Sequence, residues 1–156
     1  MLRGSFTAKI DDKSRLKIPR DFLKLIEEHY GRELFVTSLD GVSAHLYPMP
    51  VWVEIERQLG AQGLVRDPEV DRFFKHTSFY GQVAEIDNQG RLLIHPRLRE
   101  RTSMAGEVDV VGSFDHLEVW NLERLKADLA ASPFSENDRR VVAALLRQAG
   151  KPTVTP

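Results

Sequence analysis

The 156-residue sequence contains no cysteine, which excludes disulfide scaffolds, thiolate metal sites, cysteine nucleophiles and thiol redox chemistry. It also contains no apolar run near the roughly 18–20 residues that a membrane-spanning helix needs, and its start does not resemble a signal peptide. Apolar residues make up 42% and charged residues 29%, which is typical of a globular protein. We therefore expect one domain or two small ones, located in the cytoplasm and away from membranes.

The net charge of −1 shows little excess of either sign, but the charges are unevenly distributed. Residues 1–24 hold seven lysines and arginines against three aspartates, whereas residues 25–80 hold five basic and nine acidic residues. A basic end on a mildly acidic body indicates a polyanionic partner such as nucleic acid. The alternative from charge alone is a lysine-rich hairpin that forms a well-solvated sheet edge.

Motifs of catalysis and metal binding are also missing. The sequence has no Gly-x-Ser-x-Gly, Walker or Gly-x-Gly-x-x-Gly pattern. The five histidines, at positions 29, 45, 76, 95 and 116, are too far apart for a His-x₃-His ligand pair on one helix. We predict no catalytic residue, no metal site and no cofactor, although a histidine cluster formed only by the fold stays open.

One segment of the sequence occurs twice. Residues 10–20 (IDDKSRLKIPR) return as residues 86–97 (IDNQGRLLIHPR), at an offset of 76, with His95 added before the second proline. A looser similarity follows between residues 33–40 and 107–115. Such repetition predicts two copies of one small unit, related by a pseudo-two-fold axis, that close a common core.

Each copy is predicted to run strand, turn, strand, helix, strand, strand, helix. Apolar and polar residues alternate from Phe6 to Ile18, which is typical of a hairpin with one buried face. In the turn at 11–14, Ser14 occupies the place of Gly90 in the second copy, where a positive φ is expected. Serine fits such a backbone less well, so the first turn is predicted to be slightly strained or differently shaped.

Proline, glycine and capping residues predict the helices. Helices are expected at 19–31 and 50–59, with Gly60 after the second, then from Asp67, at 122–129, and from a capping box at Ser135 and Asp138. The last helix is amphipathic, which favours packing over membrane binding. Residues 151–156 are expected to form a frayed tail.

Each copy carries an Asp-x-x-x-Arg pair, Asp11 with Arg15 and Asp87 with Arg91. The structural interpretation is an ion pair that braces the turn, worth roughly 0–1 kcal/mol when exposed. The functional interpretation is that the aspartate orients the guanidinium toward a phosphate or a guanine edge. The two interpretations are compatible.

The candidate DNA-binding residues are basic and belong to the first copy: Arg15, Lys13, Lys17, Lys9, Arg3 and Arg20. We expect arginine to read guanine edges and the lysines to neutralise phosphates. The second copy has Glu85, Gln89 and Leu93 where the first has Lys9, Lys13 and Lys17. We therefore assign Asp11, Asp87 and Arg91 to turn structure and expect the second copy to complete the core and build subunit contacts.

The sequence resembles the MraZ family of bacterial transcriptional regulators. The resemblance covers about residues 1–130 and rests on Leu2-Arg3-Gly4, both Asp-x-x-x-Arg-Leu segments, Leu46-Tyr47-Pro48 with Trp52, and the block 81–101. Ser14 departs from the glycine that is usual in the family. The resemblance implies an α+β, β-dominated fold in which two tandem swapped-hairpin modules of the AbrB and SpoVT type form a pseudo-two-fold, β-barrel-like unit with peripheral helices.

The modules are expected at 4–59 and 81–130, with a helical connector at 60–80 and a C-terminal helix and tail at 131–156. The resemblance further implies sequence-specific binding of double-stranded DNA, at tandem repeats upstream of the protein's own gene in the division and cell-wall gene cluster. It also implies a ring-shaped homo-oligomer associated with the nucleoid. The alternative function is an AbrB-like antitoxin or protein-binding module, and an enzyme is the least favoured class.

Overall fold

A computed structural model of the chain describes residues 1–61, 63 and 66–150, so the predicted tail at 151–156 lies outside the described residues. The strands are β1 (Ser5–Lys9), β2 (Arg15–Lys17), β3 (Glu33–Thr37), β4 (Ala44–Pro48), β5 (Gln82–Glu85), β6 (Arg91–Leu93), β7 (Glu107–Ser113) and β8 (His116–Trp120). The helices are α1 (Arg20–Tyr30), α2 (Met49–Ala61), α3 (Pro68–Tyr80), α4 (Pro96–Arg101), α5 (Leu122–Ala131) and α6 (Glu136–Ala149). The fold is α+β, as predicted.

Six strands form one antiparallel sheet in the order β1-β7-β8-β4-β3-β5, with β1 and β5 at its edges. Strands β2 and β6 form a separate two-stranded antiparallel pair, called the β2–β6 ribbon below. Within the described residues these strands do not close into a barrel.

The two repeats exchange strands. Strand β1 of the first copy pairs with β7 of the second, and β5 of the second copy pairs with β3 of the first. In the β2–β6 ribbon, Leu16 lies opposite Leu92, its counterpart in the second copy. Reciprocal pairings of this kind are what a pseudo-two-fold relation between the copies requires.

The predicted hairpin of the first copy is present only around its turn, where the Asp11 N–H donates to the Arg15 carbonyl at 3.0 Å and Ile10 forms a bridge with Leu16. Beyond that bridge, β1 pairs with β7 and not with β2. The alternation still predicted most of the buried face, because Ala8, Ile10, Leu16 and Ile18 are buried. Phe6 is the exception, since 39% of its surface is exposed at the sheet edge. Alternation predicts which side chains face inward but does not identify the partner strand.

The core joins the underside of the β2–β6 ribbon to one face of the six-stranded sheet. Leu16 and Leu92 are buried in the ribbon, and Leu46 and Leu117 are buried in the central strands β4 and β8. Burying one such aliphatic side chain stabilises the fold by about 1.5–3 kcal/mol. The ribbon is therefore held from below by apolar contacts, which leaves its other face to solvent.

Most helix boundaries follow the predicted signals. Helix α1 begins after Pro19 and ends at Gly31. At α6, Ser135 Oγ accepts the Asp138 N–H at 3.0 Å and Asp138 Oδ2 accepts the Ser135 N–H at 2.9 Å, which confirms the capping box. The expected end of the second helix is wrong, because α2 continues through Gly60. Glycine inside a helix costs about 1 kcal/mol and does not forbid it.

The chain divides into two compact units, Met1–Arg124 and Leu125–Pro156. The first unit contains the sheet and the β2–β6 ribbon. The second contains α6, whose apolar residues Val141, Val142, Leu145 and Leu146 are exposed. Among the helices of the described residues, none combines the length and the apolar character that spanning a bilayer requires.

Candidate nucleic-acid interface

The turn before β2 is built around the carboxylate of Asp11. Its Oδ1 accepts the backbone N–H of Lys13 at 3.0 Å and that of Arg15 at 2.9 Å. Its Oδ2 accepts Nε–H of Arg15 at 2.8 Å. Short acidic side chains make these local hydrogen bonds to the backbone readily, so one aspartate both closes the turn and orients the arginine that follows it.

The turn before β6 repeats this arrangement. Asp87 Oδ1 accepts the backbone N–H groups of Gln89 and Arg91, each at 2.9 Å, and Oδ2 accepts Nε–H of Arg91 at 3.2 Å. The backbone bond that closes each turn is also equal, from Asp11 N to the Arg15 carbonyl at 3.0 Å and from Asp87 N to the Arg91 carbonyl at 2.9 Å. The two turns therefore have one shape.

Of the two outcomes expected at Ser14, backbone strain is the correct one. Ser14 has a φ of 61° where Gly90 has 73°, and this left-handed region costs an ordinary residue roughly 1–2 kcal/mol. Arg99 Nη1 donates to Ser14 Oγ at 2.9 Å and to the Asp11 carbonyl at 3.3 Å. The serine hydroxyl thus makes a contact that a glycine could not make.

The hydrogen bonds of the turns favour ionised aspartates. The bond from the Arg15 backbone is the largest influence that lowers the pKa of Asp11, and the Arg91 backbone has the same effect on the pKa of Asp87. Each negative carboxylate then holds its arginine through Nε. Within the described residues the Nη1 and Nη2 atoms of both arginines make no further hydrogen bond, so each can still meet two acceptors.

The β2–β6 ribbon displays both arginines on one face. Arg15 lies opposite Leu93, and Lys17 lies opposite Arg91, while Lys17 Nζ donates to the Gln89 carbonyl. The Arg15 and Arg91 side chains are 30% and 26% exposed. Diagonal neighbours in an antiparallel pair are about 7–8 Å apart, so the fold brings together two arginines that are distant in the sequence.

A cavity of about 920 Å³ lies beside the ribbon. Three of the predicted DNA-binding residues, Lys9, Lys17 and Arg20, line it together with Arg32. Among the described residues that line the cavity, Glu27 is the one with an acidic side chain. Four cations against one carboxylate favour an anionic ligand such as a phosphate group.

Comparison with known proteins places these turns in a family. A family model described as "MraZ protein, putative antitoxin-like" matches residues 79–145. A protein of Acidobacterium capsulatum named transcriptional regulator MraZ is 38% identical over 143 residues, which cover 92% of this chain and 97% of that protein. A protein of the same name from Koribacter versatilis is 40% identical over 146 residues, or 93% and 99% of the two chains.

The chain belongs to the MraZ family. This confirms the resemblance inferred from the repeated turns. Because the MraZ relatives are named transcriptional regulators, the family is not one of enzymes, and the prediction that the chain is not an enzyme is confirmed.

Besides Arg15, two predicted DNA-binding residues of this MraZ chain lie apart from the cavity lining. Lys13 is exposed in the first turn, two residues before Arg15. Arg3 lies beyond the opposite end of β1, beside Gly112, where its backbone lies so close that a Cβ on the glycine would come within 2.5 Å of Arg3 N. Since an extended residue spans about 3.3 Å, Arg3 is about 20 Å from Lys9 along the strand. The structure does not bring Arg3 to the ribbon.

Sequence reasoning missed Arg32 and Arg99, each of which contacts the turn of the other copy. Arg32 Nη2 donates to the Asp87 carbonyl at 2.6 Å, while its Nε lies 3.7 Å from Glu27 Oε1 and makes no hydrogen bond. Arg99 makes the contacts to the Ser14 turn described above. Neither arginine belongs to the repeated MraZ motif, and no sequence spacing could have indicated contacts that only the strand exchange creates.

Proposed function

We propose that this MraZ-family chain is a transcriptional regulator that binds double-stranded DNA through the β2–β6 ribbon and recognises its sequence. The observation that carries the proposal is the pair of equal Asp–Arg turns, which present Arg15 and Arg91 on one exposed face. The major groove of DNA is about 12 Å wide and admits a two-stranded ribbon. The relatives named transcriptional regulator support the same role.

The basic residues divide into two roles. Arg15 and Arg91 read guanine edges, because an arginine held at Nε can direct two parallel N–H groups at the guanine acceptors. Their separation of about 7–8 Å corresponds to roughly two base-pair steps. Lys9, Lys17 and Arg20 bind phosphates from the cavity beside the ribbon. Arg91 was assigned from the sequence to turn structure alone. Because Arg91 lies opposite Lys17, on the exposed face of the ribbon, we add a contact with DNA to its role.

Lys13 and Arg3 complete the predicted basic set. Lys13 binds a phosphate at the tip of the first turn, where it is exposed. Arg3, at the far end of β1, contacts DNA beyond the segment that the ribbon covers. Each such contact contributes affinity that weakens with added salt.

The finer organisation is proposed from the resemblance to MraZ proteins. Residues 4–59 and 81–130 are two swapped-hairpin modules of the AbrB and SpoVT type, joined by the connector 60–80 and followed by 131–156. The reciprocal pairing of β1 with β7 and of β5 with β3 supports this description. Several chains in a ring bind tandem repeats upstream of the protein's own gene, in the division and cell-wall cluster, and associate with the nucleoid. A ring matched to tandem sites raises affinity by effective concentration, typically 10²–10⁴-fold.

The test is a salt series with the protein's own upstream DNA and a scrambled duplex of equal length. If the five side chains outside the base-reading pair engage phosphates, log affinity falls with log salt at a slope of about −4.5 on the upstream DNA. The scrambled duplex binds more weakly at every salt concentration. A slope near zero, or equal affinity for the two duplexes, overturns the proposal.

A protein-binding role of the antitoxin type is the second candidate, and the exposed apolar residues of α6 favour it. It predicts that changing Leu145 and Leu146 to aspartate abolishes regulation of a reporter gene in cells while the affinity for DNA in vitro is unchanged. Loss of regulation by Arg15→Ala, with the α6 variant still active, favours DNA binding instead.

A further inference from the structure

Three side chains capable of binding a metal meet on the six-stranded sheet, outside the ribbon and its cavity. They lie on the face of β4 and β8 that alternates with the core residues Leu46 and Leu117. His45 is directly opposite Glu118, and His116 precedes Glu118 by two residues, on the same face. One donor atom from each of the three lies within 4.8 Å of the other two.

The donors are two imidazoles and one carboxylate, held in a partly closed environment. His45 is only 6% exposed, and the His116 side chain is 15% exposed. Two histidines with one glutamate form a ligand set that Zn²⁺ takes when its fourth position is left to water. Imidazole suits zinc and the neighbouring transition metals, whereas Mg²⁺ and Ca²⁺ prefer sites made of oxygen alone. The chemistry therefore selects a divalent transition metal.

Neighbouring groups hold two of the donors. Asp115 Oδ1 lies 2.8 Å from His116 Nδ1, so the carboxylate fixes a proton on Nδ1 and leaves Nε2 with its lone pair. The Trp120 Nε1–H donates to Glu118 Oε1 at 3.0 Å, which leaves Oε2 of that carboxylate as the oxygen that can bind a metal. The Tyr47 ring stacks on His116 at a centroid distance of 4.4 Å. Metal-binding histidines commonly donate their second ring N–H to a carboxylate in this way.

The third donor, His45, lies beside His116, with the centroids of the two rings 5.8 Å apart. Its Nδ1 lies 3.4 Å from the Leu39 amide nitrogen, which is longer than an ordinary hydrogen bond. Ligands on a tetrahedral zinc ion are about 3.4 Å apart, so donor atoms that lie up to 4.8 Å apart must approach by up to about 1.4 Å. The pairing of β4 with β8 already places His45 opposite Glu118, so only the side chains have to close this gap when the ion binds.

We propose that His45, His116 and Glu118 bind a divalent transition-metal ion, best matched by Zn²⁺. The ion joins β4 of the first repeat to β8 of the second, at the centre of the sheet. Because its ligands come from both strands, the bound ion stabilises the contact between the two copies. Because the ion binds the folded sheet, the thermal stability of the protein rises with the concentration of free Zn²⁺.

The experiment uses the full-length protein without a histidine tag, stripped with a chelator and then titrated calorimetrically with Zn²⁺. One ion per chain is expected, and Co²⁺ in its place is expected to give the intense visible absorption of a four-coordinate site. His116→Gln and Glu118→Gln are each expected to weaken binding at least 100-fold. Asp115→Asn, which changes only the group that orients His116, is expected to weaken it by about 10–100-fold.

The exposed His29, on α1, supplies the matched control, because His29→Gln removes an imidazole and leaves the cluster intact. Circular dichroism of each metal-free variant verifies that it is folded, so that lost binding reports the ligand and not the fold. The proposal is overturned if the wild-type protein shows no saturable binding. It is also overturned if His116→Gln binds Zn²⁺ as tightly as His29→Gln does, which would mean that scattered histidines account for the binding.

Discussion

Leu16 and Leu92 face each other across the β2–β6 ribbon, and both are fully buried. They occupy the same position in the two repeats, so one contact joins the copies at their point of pseudo-symmetry. Arg15 and Arg91 are their immediate neighbours in sequence and point to the opposite, solvent-facing side. The placement of both candidate DNA-reading residues therefore depends on this apolar pair.

Leu16→Ala and Leu92→Ala are each expected to lower the free energy of unfolding by about 2–5 kcal/mol, through lost burial and the cavity that remains. Leu93→Ala, at a residue of the same strand that is 50% exposed, is expected to change it by less than about 0.5 kcal/mol. Urea denaturation measures all three. Equal effects of Leu92→Ala and Leu93→Ala would show that the ribbon does not pack on the core.

Gly90→Ala is expected to destabilise the fold by about 1–2 kcal/mol, because a φ of 73° is unfavourable for alanine. The added Cβ would also lie 2.9 Å from Leu23 Cδ2. Gly106→Ala is the control, since its φ of 63° is similar and no atom lies within 4 Å of the added Cβ. Thermal denaturation of the two variants separates the backbone cost from the Leu23 contact. A Gly90→Ala variant as stable as the wild type contradicts the turn geometry.

Arg15→Ala is expected to weaken binding to the upstream DNA by about 1–3 kcal/mol and to relax sequence preference. Arg15→Lys is not expected to restore affinity, because lysine lacks the fork that meets two acceptors. Fluorescence anisotropy with upstream and scrambled duplexes measures both effects. Full rescue by lysine would show that charge alone acts at this position.

Arg91→Ala tests whether the second copy contacts DNA as the first copy does or serves only folding and assembly. From its place opposite Lys17, we expect a loss of DNA affinity comparable to that of Arg15→Ala, with normal assembly by light scattering. The sequence alone predicts the opposite: if Arg91 serves mainly folding and assembly, Arg91→Ala impairs assembly more than it impairs DNA recognition. A variant that fails to assemble, or that assembles and keeps full affinity, would remove Arg91 from the DNA-reading face.

Asp11→Asn is expected to make the free energy of unfolding depend less steeply on pH in the acidic range. The turn lowers the pKa of Asp11 from its ordinary value of 3.8, so the folded state binds the proton less readily than the unfolded state. The stability from this carboxylate is present above pH 3.8 and is lost as the pH falls through the lower value of the folded state. Urea denaturation at a series of acidic pH values measures the slope. An unchanged slope in Asp11→Asn contradicts a stabilising charge at the turn.

The sequence predicted the local features of this fold well, because their causes are local. Helix α1 begins after Pro19 and ends before Gly31 because of the backbone preferences of those two residues. The repeated aspartates build turns from hydrogen bonds within five residues. Ser14 shows the limit of this reasoning. Its strain was foreseeable, but the Arg99 contact that accompanies it comes from a residue 85 positions away.

Strand partners and distant clusters could not be predicted in the same way. The alternation around Ile10 specifies a buried face, and it is equally consistent with a hairpin and with the observed pairing of β1 to β7. His45 and His116 carry no helical spacing, and only the pairing of β4 with β8 brings them together. Their proximity is a property of sheet order, which one sequence does not specify.

The exchange of strands between the repeats also affects how the protein is synthesised. While the ribosome has delivered only the first half of the chain, β1 lacks β7 and β3 lacks β5, so both have unpaired edges. Unpaired edges on an unfinished sheet are where nascent chains pair wrongly with one another. Folding must therefore wait for the second repeat to emerge, and a chain interrupted after one repeat would be prone to aggregation instead of forming a half-sized version of the protein.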